Sequence, residues 1–144
     1  MAFSDLYSSG IHKQEIGHFA NVVKIAKADG IISDGERALL AKIGGKLNIS
    51  VEEFAVIFEH PEKFPTNAPI SYDDRIERLF RLSKMVLANG EIKLVETNLM
   101  QKIAIRLNFK SENTEKICKE AINLVLNNSD LDSFITAIKK VDKE

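Results

Sequence analysis

Five carboxylates gather around two glycines. Asp29, Asp34 and Glu36 surround Gly30, and Glu91 and Glu96 follow Gly90. Hard divalent cations such as Ca²⁺, Mg²⁺ or Mn²⁺ prefer oxygen ligands, so two such corners brought together could hold one ion. Without a cation, a converging set of this kind repels itself. The spacing is not that of an EF-hand, because the alternating acidic positions and the distant terminal Glu are missing. The same residues also have a plainer use. Ser33 and Glu36 have capping-box spacing. A carboxylate in the first turn of a helix gains about 0.3–1 kcal/mol from the helix dipole. Lys93 stands where the first corner has Ser33, so capping accounts for Glu96 less fully. Two expectations follow: a cation held by Asp29, Asp34, Glu36, Glu91 and Glu96, or the same carboxylates acting only as helix caps.

Other reactive side chains form no such pattern. His12, His18 and His60 make no i, i+4 ligand pair and read as surface residues. Cys118 shares a helical face with Ile122 and Val125, as a buried structural thiol would. Arg75, Arg78, Arg81 and Lys84 make a basic band, but Asp73, Asp74 and Glu77 interleave with it, which predicts a solvated face with salt bridges. No Ser–His–Asp set, phosphate-binding Gly loop or H-x-x-x-H motif occurs. The expectation is a non-enzymatic protein with no organic cofactor.

The corners recur because the chain repeats. At an offset of 60 residues, 16–49 lie over 76–109 without a gap. Identical pairs include Ala28/Ala88, Gly30/Gly90, Ile32/Ile92, Glu36/Glu96, Leu39/Leu99, Lys42/Lys102, Ile43/Ile103, Leu47/Leu107 and Asn48/Asn108. Ile16/Ile76 and Lys24/Lys84 complete the set. Ordinary amino-acid usage would give about two identities over such a stretch. Two copies are too few for a solenoid, so one pseudo-symmetric domain over residues 1–144 is expected. Pro61, Pro65 and Pro69 mark 60–70 as the connector between the copies.

Apolar stripes have helical spacing. Ile76, Leu79, Phe80, Val86 and Leu87 make one, and Leu39, Leu40, Ile43 and Leu47 make another, echoed by Leu99, Met100, Ile103 and Leu107. Ser33, Ser50, Ser71, Ser111 and the Ser129–Asp130 pair supply helix starts. The predicted helices are 11–28, 34–47, 51–59, 71–88, 94–108, 112–127 and 130–142, with a short turn near 3–9. The fold class is therefore all-α, a compact bundle of about seven helices. Ile32 and Ile92 should plug the corners into the core, with Phe54, Ile57, Phe58 and Phe64 also core residues. Gly44 and Gly45 interrupt a predicted helix, where each costs about 1 kcal/mol against Ala. Close approach of a neighbouring helix would explain them.

Charge is nearly balanced, with 20 basic and 21 acidic residues, a net charge of −1 and a pI of about 6.3. That gives no global field for nucleic acid or an anionic membrane. The balance is an average: 29–36 carry three acids and no base, whereas 89–96 carry two acids and Lys93. No apolar run approaches a membrane span of about 18 residues, and MAFSDLYSSG has no signal-peptide character. A cytoplasmic protein with protein partners is expected, self-association included.

The two units, ADGIISDGERALLAKIGGKLNI and ANGEIKLVETNLMQKIAIRLNF, resemble the repeat unit of the tellurite-resistance TerB-like family. The resemblance covers residues 15–125. It implies a many-helix domain with internal pseudo-symmetry, a bacterial cytoplasmic setting, a link to tellurite or other chemical stress, and an acidic cluster that binds divalent metal. Asp29 and Glu36 match the motif carboxylates of the first unit, and Glu96 matches the second. Asn89 stands where the second unit would usually have Asp, offering a neutral carbonyl instead of a charge; Glu91 lies two positions on.

Overall fold

The computed structural model describes residues 10–28, 30, 32–64, 69, 71–88 and 92–143. Over this range the fold is all-α. Its helices are α1 (Gly10–Lys27), α2 (Asp34–Lys46), α3 (Val51–Glu59), α4 (Tyr72–Val86), α5 (Leu94–Arg106), α6 (Thr114–Leu126) and α7 (Leu131–Lys143). Two 3₁₀ turns, Pro61–Lys63 and Ser111–Asn113, complete the described elements. The turn expected near 3–9 lies outside the described residues, as does most of the connector after Phe64. Among the described residues no helix is long and apolar enough to cross a membrane.

Helix starts follow the serine signals. The Ser33 hydroxyl accepts from the Glu36 amide at 3.0 Å, and the Glu36 carboxylate accepts from the Ser33 amide at 3.3 Å. Ser50 with Glu53 and Ser71 with Asp74 close the same reciprocal box. These boxes satisfy amides that the first helical turn leaves without partners. Ser111 instead opens a 3₁₀ turn, and α6 begins only at Thr114. Asp130 opens α7 by accepting from the Ser133 amide at 2.8 Å. Those Ser133 hydrogen bonds hold the Asp130 carboxyl below its ordinary pKa.

Helix ends use a residue that the repeat had already marked. Asn48, Asn108 and Asn128 all have positive φ, at 59°, 63° and 58°. Each stands just past a helix. The following amides of Ile49, Phe109 and Ser129 bond back to Gly44, Ala104 and Leu124. This is the Schellman pattern, and Asn tolerates the left-handed conformation better than other non-glycine residues. The recurrence of Asn48 at Asn108 thus marks a shared way of leaving a helix.

One core joins the two sequence copies. It includes Phe19, Leu40, Ile76, Leu79, Leu99, Met100, Ile103 and Phe134, all fully or almost fully buried. The central helix α4 packs on α1, α5, α6 and α7, and α5 also packs on α1 and α2. The starts of α2 and α5 meet at equivalent positions: a Cβ on Gly35 would lie 3.7 Å from Cγ2 of Val95. Gly44 has the close neighbours expected of it, since a Cβ there would lie 3.3 Å from Phe54 and 3.5 Å from Phe19. Gly45 faces open space.

Three expectations need correction. Ile32 packs against the core, but Ile92 is 36% exposed and plugs nothing. Arg75 is not part of a solvated band: it donates to the carbonyls of Leu107 and Asn108 and lies over Tyr72 and Phe109. His18 is half-buried, with Nδ1 buried and unpartnered. Burial, with Arg78 and Arg81 nearby, lowers its pKa. His60 is exposed as expected, and the side chain of His12 lies outside the described set.

Candidate functional site

The first corner joins the C-terminal end of α1 to the start of α2. Gly30 adopts φ +80°, the left-handed conformation that glycine enters without steric cost. Ser33, extended at φ −73° and ψ 159°, leads into α2. This turns the Glu36 carboxylate inwards, where the residue is 7% exposed. Its Oε1 faces the Ser33 amide and hydroxyl, while Oε2 lies 2.8 Å from the Lys102 ammonium. Lys102 reaches across from α5 and also donates to the Ala26 carbonyl, at 3.2 Å, near the end of α1. One cation thus ties together α1, α2 and α5. A charge-assisted bond is stronger than a neutral one, and the partial burial of both groups limits screening.

The second corner is built differently. Glu96 is 3% exposed, and Oε1 accepts from the Lys93 amide at 3.0 Å. Lys93 cannot return the bond, because an ammonium has no acceptor. Only half of the reciprocal box exists here. Lys42, the counterpart of Lys102, is exposed on α2. Among the described residues the two helix starts therefore differ in electrostatics: Glu36 meets the Lys102 ammonium, whereas Glu96 meets the Lys93 amide.

Of the five carboxylates expected at a cation site, Asp29 and Glu91 lie outside the described residues. Glu36 and Glu96 are buried in their helix starts, and Asp34 is exposed. Among the described residues no three His, Cys, Asp or Glu side chains gather as metal ligands would. The residue that sequence reasoning missed is Lys102. Its identity with Lys42 across the repeat was visible, but a partner 66 residues away was not.

Beside the first corner lies a cleft of about 320 Å³, lined by Lys27, Gly30, Ile32, Ser33, Asp34, Arg37 and Phe58. Lys27 Nζ sits 4.9 Å and Arg37 Cζ 4.8 Å from the centre of the Phe58 ring. Lys27 also donates to the Phe58 carbonyl, in the last turn of α3. Among the described lining residues, two cations stand against one carboxylate.

Two other titratable groups are held within the fold. Cys118 is 2% exposed, and burial pushes its thiol up to about 12, which leaves it a poor nucleophile at neutral pH. Tyr72 is likewise raised to about 12 by burial and by its hydrogen bond to Asp142. Comparison of the chain with protein-family models, with curated proteins and with solved structures yields no match.

Proposed function

We propose that the chain is a non-enzymatic, TerB-like helical domain that works by binding other proteins, with its corner carboxylates serving as helix caps and ties. The observation that carries this reading is the Glu36 carboxylate, whose two oxygens face the Ser33 cap and the Lys102 ammonium. A divalent cation at Glu36 would have to displace Lys102 from a 2.8 Å contact. Asp34 supports the same reading, because it shares its cleft with Lys27 and Arg37, whose charges oppose a cation. The TerB-like assignment rests on the matched corner units in the sequence. The link to tellurite or chemical stress and the bacterial cytoplasmic setting come with that resemblance.

The rival is a divalent cation held by Asp29, Asp34, Glu36, Glu91 and Glu96. One experiment decides between them. EDTA-treated protein is titrated with Ca²⁺, Mg²⁺ and Mn²⁺ while thermal unfolding is followed. The cap reading expects no change in Tm at millimolar cation. Ligand at about 100 times its Kd would stabilise the fold by about 2.7 kcal/mol, and a shift of that size would establish the rival.

A further inference from the structure

The described lining of the cleft at the first corner sets Lys27 and Arg37 beside Phe58, with Asp34 as its one described acid. Neither Lys27 nor Arg37 forms an ion pair among the described residues; both lie against the Phe58 ring. Stacking on an aromatic face leaves the charge of a guanidinium intact and its N–H edge free to fork onto a carboxylate. Lys27 gives one of its three donors to the Phe58 carbonyl and keeps two. Ile32 and Phe58 add apolar surface beside these donors. The volume, about 320 Å³, is at the low end for a ligand pocket and suits one or two side chains.

The geometry points to a docking cleft for an acidic–apolar peptide segment of a partner protein. One carboxylate of that segment bridges Arg37 and Lys27, and the adjoining apolar side chain lies on Phe58 and Ile32. Asp34, at the rim, opposes the incoming acid and sets a limit on affinity. This assignment rests on the protein-binding reading above and gives that reading a partner chemistry.

The probe is a capped peptide of alternating Leu and Asp, titrated into isotope-labelled full chain and followed by amide chemical shifts. The controls are the Leu/Asn peptide and inorganic phosphate. Saturable shifts are expected at Lys27, Ile32, Ser33 and Arg37, absent with the Leu/Asn peptide. Arg37→Gln should weaken binding about tenfold, the scale of one lost charge-assisted contact. This variant is the informative one, because Arg37 is exposed and its described contact is the Phe58 ring. Asp34→Asn should tighten binding, the opposite of what a metal ligand would show. Equal binding of the Leu/Asn peptide, an unchanged Kd in Arg37→Gln, or phosphate binding as tightly as the peptide would each overturn the assignment. Failure here without a cation response removes only the cleft, whereas a cation response in the EDTA-treated protein removes the helix-cap reading of the corner.

Discussion

At the scale of single residues, Lys102 does most to set the first corner. It links a buried carboxylate on α2 to a carbonyl near the end of α1. Removing it leaves Glu36 buried with one oxygen unpaired, and an unsatisfied buried charge costs more than a lost neutral hydrogen bond. Lys102→Met is therefore expected to destabilise the fold by about 1–3 kcal/mol, measured by urea denaturation. The equivalent change in the first copy, Lys42→Met, should stay within about 0.5 kcal/mol because that side chain is exposed. A double-mutant cycle with Glu36→Gln should assign most of the Lys102 loss to the pair. Equal effects of the two lysine substitutions would mean that the ion pair is not what holds the corner. Sequence could show that both lysines recur. It could not show which one reaches a carboxylate, because that depends on how α5 crosses α1 and α2.

Elements were the most legible level. Apolar stripes and serine starts place all seven described helices to within about two residues, since periodicity and capping are local properties. Helix ends were less legible. The Asn48/Asn108 identity was visible, yet its role as a left-handed exit became clear only from φ. Adjacent glycines in α2 show the same limit. Sequence flags Gly44 and Gly45 alike, but packing separates them. A Cβ on Gly44 would meet Phe54 at 3.3 Å, whereas one on Gly45 meets nothing within 4 Å. Gly45→Ala should therefore stabilise by about 0.5–1 kcal/mol through helix propensity. Gly44→Ala should forfeit that gain, because Phe54 is held between Phe19 at 6.0 Å and Phe58 at 5.7 Å. Paired thermal melts give the ordering directly, and a Gly44→Ala protein as stable as Gly45→Ala would show that the aromatic stack yields freely.

At the scale of the molecule, the two copies share one core, and α7 closes it from outside the repeat. Phe134 and Ile138 are fully buried, and the Phe134 ring lies 4.9 Å from that of Phe80 on α4. Polar contacts fix the end of the same helix. Tyr72 donates to Asp142 at 2.6 Å, Asn113 donates to the Asp142 carbonyl at 2.8 Å, and Lys139 meets Asp73 at 2.7 Å. None of these partners lies within 15 residues of its mate, so sequence spacing gave no sign of them. Because α4 packs on both α1 and α7, a cavity at Phe134 should be felt in both copies. Phe134→Ala is expected to cost about 3–5 kcal/mol. Hydrogen exchange should then show the Leu40 amide in α2 and the Ile138 amide in α7 losing protection together. Loss that reaches α4–α7 but spares α1 and α2 would mean that the first copy folds as an independent unit, and the single core inferred from burial would have to be divided.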